Sequence, residues 1–159
     1  MHRKSLAIYL RNHYAAAQAG KDLFRRAERN QRARPYGAQL AVLRAEVEED
    51  AQALHAVLRA EGVQPDVPQS VLLQLGERVG RLKPNGSLLR RAPLSDLIEV
   101  EGMFDAVRAK AAGWQALTAI PAPRWRDDVD QQEYYDRAMS QADRLSAIHR
   151  EVATRLFTP

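Results

Sequence analysis

The chain has 159 residues, of which 45% are hydrophobic and 28% are charged, and it contains no cysteine. This length and composition fit one folded domain and exclude a disordered chain. The absence of cysteine excludes a disulfide scaffold, a zinc ribbon and a thiol nucleophile. No apolar stretch is long enough to cross a bilayer and the N-terminal segment lacks the apolar core of a signal peptide, so we expect a cytoplasmic protein.

The formal net charge of +4 is unevenly distributed along the chain. Residues 1–34 carry nine basic and two acidic side chains, and residues 63–92 carry five basic and two acidic ones. Acidic side chains are in excess in residues 35–62 and 93–159. One interpretation is that basic helices pack beside acidic ones. The other is that the basic segments form a face for phosphate or nucleic acid.

Four segments have the apolar periodicity of long amphipathic helices, and no stretch alternates with the period of a strand. The helices are predicted over residues 4–30, 36–61, 94–119 and 130–157. Pro35 separates the first two, and Gly62 is expected to end the second. The turn from Pro121 to Pro123 separates the last two.

The lengths of the connections predict the topology. The first and last connections are short, so each joined pair of helices is expected to form an antiparallel hairpin. Residues 63–92 form a connection long enough to run the length of the bundle, with room for one short helix over about 69–82. Two antiparallel hairpins joined by one long crossover describe an all-α, ferritin-like four-helix bundle, in a single domain over residues 1–159.

Four segments of the sequence also resemble those of one group of proteins. The segments HYAAAQAGKDLFRRAERNQ, LRAEVEEDAQAL, GRLKPNGSLLRRAPLSDLIEVEG and AKAAGWQAL look like those of an uncharacterised group of bacterial ferritin-like proteins. The resemblance covers nearly the whole chain and is most distinctive between Gly80 and Leu97. It implies the ferritin-like fold and leaves the function open.

Membership of the ferritin-like superfamily would imply a site for two iron or manganese ions. Active members hold the ions with one Glu from each of two helices and a Glu-x-x-His pair from each of the other two. This chain contains no Glu-x-x-His. The nearest pattern runs from Glu49 to Gln52, and an amide is a poor replacement for imidazole on iron. We therefore expect no di-iron site, no cofactor and no catalytic residue.

Polar side chains nevertheless lie on the predicted inward faces, and they are His13, Asp50, Glu101 and His149. The last two helices are joined by a turn centred near residue 125, which sets Glu101 opposite His149. By the same argument, the first hairpin sets Asp50 opposite Ala16 and Ala17.

Two interpretations of these groups are open. In the structural interpretation they form buried hydrogen bonds and one Glu–His ion pair, because burying unpaired polar groups is unfavourable. In the functional interpretation a single iron, manganese or zinc ion is held by Glu49, Asp50, Glu101 and His149. We favour the structural interpretation, in which no metal is bound.

Basic side chains offer a separate candidate site. Five in the crossover are placed to surround an anion such as phosphate, namely Arg78, Arg81, Lys83, Arg90 and Arg91. A second set on the first helix suits nucleic acid without sequence preference, namely Lys21, Arg25, Arg26, Arg29 and Arg32. Long basic side chains more often pair with acids of a neighbouring helix, and we favour that interpretation.

Aromatic residues are expected to cap one end of the bundle, namely Trp114, Trp125, Tyr134 and Tyr135. In the alternative, Trp125 is an exposed contact for another subunit. Ferritin-like bundles often associate through their flat sides, so we expect the partner to be a second copy of the chain or another protein. We expect no association with a membrane. The sequence favours a non-enzymatic binding or interaction module, with mononuclear metal binding and nonspecific nucleic-acid binding as alternatives.

Overall fold

Four long α-helices make up the described part of the chain, and no strand occurs there. The computed structural model describes residues 2–65, 93–121, 123–125 and 127–158. The helices are α1 (His2–Gln31), α2 (Gly37–Ala60), α3 (Pro93–Thr118) and α4 (Gln131–Phe157). They confirm the all-α prediction, and their ends lie within two residues of the predicted bounds.

The end of α2 shows why the local sequence was informative. Gly62 has a φ of 65°, in the left-handed region that favours glycine. Its N–H donates to the carbonyl of Arg59, and the N–H of Val63 donates to the carbonyl of Leu58. These two bonds form a Schellman motif, which satisfies carbonyls that the last helical turn leaves open.

Two further local signals determine where α4 and α2 begin. At the start of α4, the carboxylate of Asp130 accepts hydrogen bonds from the backbone N–H groups of Gln132 and Glu133, as an N-cap does. At the start of α2, a Cβ on Gly37 would lie 2.3 Å from the carbonyl oxygen of Arg32. Glycine therefore permits the short turn between α1 and α2.

The directions of the helices follow from the contacts between them. The α1–α2 and α3–α4 pairs are packed along their lengths and joined by short connections, so each pair is antiparallel. α1 is also antiparallel to α3, because Gln31 contacts Glu99 whereas His13 lies against Gly113. It follows that α2 and α3 run in the same direction.

The end of α2 and the start of α3 therefore lie at opposite ends of the bundle. The distance between them is about 40 Å, since a helix of this length rises 1.5 Å per residue. The predicted short helix over 69–82 lies outside the described residues.

The apolar core consists of two clusters. The first lies towards the α1–α2 turn and includes Phe24, Leu43, Met103 and Leu145. The second lies towards the other end and includes Leu10, Val57, Leu58 and Trp114.

Aromatic rings close the end of the bundle opposite the α1–α2 turn, as predicted. Trp125 is fully buried, and Trp114 stacks on Tyr134 with 4.9 Å between ring centroids. The alternative, an exposed Trp125 that contacts another subunit, is wrong because the indole ring fills the end of the core.

Candidate functional site

An acidic side chain is buried where the two apolar clusters meet. Asp50 lies on α2 between Val47 of the first cluster and Ala53 of the second, and its side chain is 1% exposed. Burying an unpaired carboxylate is very unfavourable, so the partners of Asp50 define this site.

Asp50 is bound by side chains of both α3 and α4. The ammonium group of Lys110 donates to Oδ2 of Asp50 and to the amide oxygen of Gln141. The amide nitrogen of Gln141 donates back to Oδ2 of Asp50 at 3.1 Å. Arg137 places its Nη1 3.2 Å from Oδ1. The carboxylate is thus held by two cations and one amide.

A second acid of α2 is held in the same way. Arg144 binds both carboxylate oxygens of Glu46, with 3.0 Å from Nη1 to Oε1, and Gln141 donates to Oε2 at 3.0 Å. Burial acts to raise the pKa of Glu46, but the hydrogen bonds from Arg144 and Gln141 prevail and lower it below 4.5. We call the set of Glu46, Asp50, Lys110, Arg137, Gln141 and Arg144 the interior ion-pair cluster.

The cluster links α2 to α4, because Gln141 and Arg144 of α4 bind Glu46 of α2. The close backbone contacts of the bundle are concentrated in the other three neighbouring pairs of helices. The long polar side chains of the cluster therefore join α2 to α4, and the Lys110 side chain remains 18% exposed. Burial lowers the pKa of Lys110 below its ordinary 10.5, against the opposing effect of Asp50.

Sequence reasoning found Asp50 but missed its partners. The expected neighbours of Asp50 were on α1, whereas its side chain binds groups on α3 and α4. A signal for Gln141 was present, because it follows inward-facing Ala138 by three residues and therefore shares its face. Nothing in the local pattern distinguishes Lys110 from a surface lysine.

His13 takes no part in the cluster. Its partly buried ring packs 4.4 Å from the ring of Tyr9 and against Gly113 of α3. Burial lowers the pKa of His13 below 6.5.

The predicted pair of Glu101 and His149 forms, but it lies at the surface. Nε2 of His149 is 3.1 Å from Oε1 of Glu101. The side chains are 37% exposed for His149 and 53% for Glu101. The expectation that both belong to a buried polar core is wrong, because the two residues sit at the edges of the faces that α3 and α4 bury.

Glu101→Ala is expected to lower the free energy of unfolding by less than about 1 kcal/mol. An exposed ion pair contributes little, because water screens it and two side chains lose freedom in forming it. Urea denaturation of the variant and the wild type measures the change. A loss of several kcal/mol would contradict the exposed placement of the pair.

The pKa of His13 predicts an acid-dependent loss of stability. Because the folded-state pKa lies below the unfolded value, the unfolded chain binds more protons as pH falls through 6.5. We expect the free energy of unfolding to decline below that pH, and the decline to be smaller in His13→Gln. Denaturation curves at a series of pH values compare the two proteins. Equal declines would refute the assignment to His13.

The four candidate metal ligands do not converge. Glu49 and Asp50 both contact Arg137, which precedes His149 by twelve residues of α4, or about 18 Å. Glu101 accompanies His149. Within the described ranges, no group of three or more His, Asp or Glu side chains is placed to hold a metal ion.

The basic side chains of α1 are partly neutralised by its neighbours. Arg25 binds Glu48 of α2 at 2.8 Å, and Arg26 lies 3.5 Å from Glu99 of α3. These contacts favour the packing of basic beside acidic helices over a nucleic-acid face. The candidate anion-binding residues Arg78, Arg81, Lys83, Arg90 and Arg91 lie outside the described residues.

A second polar cluster lies at the α1–α2 turn. The buried amide of Gln31 donates to Glu99 of α3 at 2.9 Å and accepts from the hydroxyl of Tyr36 at 2.8 Å. Arg34 binds Asp96 of α3 at 2.6 Å. Burial, with a smaller effect of Asp96, raises the pKa of Tyr36 to about 12. These contacts attach the start of α3 to the turn.

Two surface cavities lie away from the interior ion-pair cluster. One, of about 450 Å³, is at the turn between α3 and α4 and is lined by Thr118, Ile120 and Asp130 among others. The other, of about 220 Å³, lies beside Tyr36 and Arg155. Neither of the two is lined by a residue of the interior ion-pair cluster.

The comparisons with known proteins do not indicate a family for this chain, so a function has to be inferred from the site itself. No protein-family model matches the chain, and no curated protein or solved structure matches it significantly. None of the helices in the described ranges is both long and apolar enough to cross a membrane.

Proposed function

We propose that this chain is a ferritin-like bundle that uses a lysine in place of a metal ion and acts as a non-enzymatic binding or interaction module. The observation that carries the proposal is the Lys110 ammonium group, which binds Asp50 where the two apolar clusters meet. In ferritin-like metalloproteins, inward carboxylates from facing helices are neutralised by bound ions. Here a tethered cation neutralises them.

The direction of the helices supports the ferritin-like part of this proposal. Parallel α2 and α3, each within an antiparallel hairpin, are what one long crossover produces. An up-and-down bundle with short loops would instead make α2 and α3 antiparallel.

The charges of the cluster oppose a divalent cation. Glu46 and Asp50 are already bound by Lys110, Arg137 and Arg144. A metal ion at the carboxylates would face these cations at short range in a medium of low dielectric constant, where repulsion is strong. It would have to displace Lys110 before it could bind Asp50.

Metal content per chain tests the proposal. Protein purified without chelator is incubated with Fe(II), Mn(II) or Zn(II), desalted and analysed by mass spectrometry. We expect retention well below one ion per chain and no rise in the melting temperature with any metal. Retention near one ion per chain would reject the proposal and favour the mononuclear metalloprotein.

A charge reversal sharpens the test. Lys110→Glu removes the competing cation and adds a third carboxylate beside Glu46 and Asp50, so metal retention is expected to rise above that of the wild type. Arg108→Glu is the matched control, because Arg108 lies on the same helix and is exposed. Equal retention in the two variants would count against Lys110 as the group that replaces the metal.

The partner of such a module would be a second copy of the chain or another protein. Sedimentation velocity over a range of concentrations tests the first of these. A single species at the monomer mass throughout would leave another protein as the proposed partner.

A further inference from the structure

One arginine of α3 is paired with a sulfur atom and not with an acid. Nη1 of Arg108 donates to Sδ of Met139 on α4 over 3.5 Å, and this contact lies at the surface. Among the residues that the structure describes, the guanidinium group makes no ion pair and no other hydrogen bond. A charged group with five N–H donors is therefore bound to a thioether, which is a weak acceptor.

The side chain of Met139 lies between the core and solvent. It is partly buried and packs against the first apolar cluster, while its Sδ also meets the exposed Arg108. The other methionines of the chain are Met1 and Met103, and Met103 is fully buried in the same cluster. A dissolved oxidant therefore has easier access to the sulfur of Met139 than to that of Met103.

We propose that Met139 is a site of reversible oxidation by hydrogen peroxide, and that Arg108 binds the sulfoxide that forms. A sulfoxide oxygen is polar, so it is unfavourable beside an apolar cluster unless a donor binds it. Arg108 already lies within hydrogen-bond distance of the sulfur. Its charge strengthens a hydrogen bond to the new oxygen, so the contact between α3 and α4 becomes stronger when Met139 is oxidised.

The reaction consumes one molecule of hydrogen peroxide. A lone pair of Sδ attacks one peroxide oxygen, the oxygen–oxygen bond breaks and a sulfur–oxygen bond forms. The sulfur loses two electrons and the peroxide gains them. The proton of the transferred oxygen passes to the departing hydroxide, which leaves as water. The products are methionine sulfoxide and one molecule of water, and sulfoxide reductases reverse the change.

The new oxygen can be placed without a shift of the backbone. The methionine side chain has three rotatable bonds and adapts to its surroundings. Arg108 is exposed, so its guanidinium group is free to move outwards while it keeps a donor on the oxygen. The modified protein is therefore expected to keep its fold.

The rates of oxidation test the site. Native protein is incubated with hydrogen peroxide, and peptide mass spectrometry follows each methionine over time. We expect Met139 to be oxidised at least about tenfold faster than Met103, because only Met139 reaches the surface. Equal rates, or oxidation of Met139 only after unfolding in urea, would overturn the inference.

The melting temperature tests the part played by Arg108. It is measured before and after a peroxide dose that converts Met139 and leaves Met103 intact. We expect oxidation to lower the melting temperature of Arg108→Ala by about 2–4 °C more than that of the wild type, as the loss of one hydrogen bond does in a chain of this size. Equal shifts in the two proteins would reject Arg108 as the group that binds the sulfoxide.

Two control variants make the comparison specific. Arg150→Ala also removes an exposed arginine, but Arg150 binds Ser146 of its own helix, so its shift on oxidation should equal that of the wild type. Met139→Leu keeps a side chain of similar volume together with Met1 and Met103, and peroxide should leave its melting temperature unchanged. A fall as large as that of oxidised Arg108→Ala would assign the effect to another residue and overturn the proposal.

Reversal completes the test. Methionine sulfoxide reductases of the two epimer specificities are added together to the oxidised, folded wild type. We expect the mass of the Met139 peptide and the melting temperature to return to their starting values. Reduction that occurs only after unfolding would contradict reversible oxidation of the folded protein.

Discussion

Asp50→Ala is expected to lower the free energy of unfolding by about 3–5 kcal/mol. The substitution removes the carboxylate that Lys110 and Arg137 share and leaves a mostly buried ammonium group without its acidic partner. Breaking a buried ion pair from one side is strongly destabilising for this reason. Urea unfolding followed by circular dichroism measures the loss.

Glu49→Ala is the matched control for this prediction. Glu49 is the adjacent residue and binds the same Arg137, but it is exposed, so we expect a change below about 1 kcal/mol. If Asp50→Ala were equally mild, the carboxylate would not be the group that compensates Lys110.

A double variant separates the net contribution of the Asp50–Lys110 ion pair to stability from the cost of leaving one of its charges buried without a partner. Asp50→Leu with Lys110→Met replaces both charges by apolar side chains of similar size. We expect this protein to be more stable than either single variant, because neither charge is left buried alone. Additive losses would mean that the two residues act independently.

Gly113→Ala is expected to lower the free energy of unfolding by about 1–3 kcal/mol, although alanine is the better helix former. A Cβ on residue 113 would lie 2.7 Å from Nδ1 and 2.8 Å from Cε1 of His13. The ring of His13 or the whole of α1 would have to move. Chemical denaturation measures the change, and His13→Ala in the same background should restore part of the loss.

Gly20→Ala is the control of opposite sign. Gly20 is buried in α1, but a Cβ there would meet no atom within 4 Å. We expect a gain of about 0.5–1 kcal/mol from the better helix propensity and the stiffer unfolded chain. A similar gain in the free energy of unfolding for Gly113→Ala would show that the ring of His13 moves aside at little cost.

The ends of the helices were predictable because their causes are local. The left-handed Gly62 ends α2 within a few residues of its own position, and Asp130 caps α4 through its own side chain. The contact between Glu101 and His149 was predictable for a related reason. A short turn leaves two antiparallel helices little freedom to slide, so position relative to the turn determines the facing residue.

The exposure of Glu101 was not predictable from its helix alone. α3 carries apolar residues both inside and outside the face that it buries, because Leu97, Val100 and Met103 are buried whereas Leu94 is 48% exposed. A pattern this broad does not determine which edge of the helix faces water. The packing of α1 and α4 against α3 decides it.

The interior ion-pair cluster depends most on tertiary structure. The inward position of Asp50 followed from the period of α2, and its burial confirms that expectation. Lys110 is sixty residues away in sequence, and its long flexible side chain can bring its charge to the core or to solvent from one helical position. The order and direction of the helices bring Lys110 and Gln141 to Asp50. Local sequence therefore determined the four helices and their ends, whereas the partners of the buried acid were decided only when all four helices packed together.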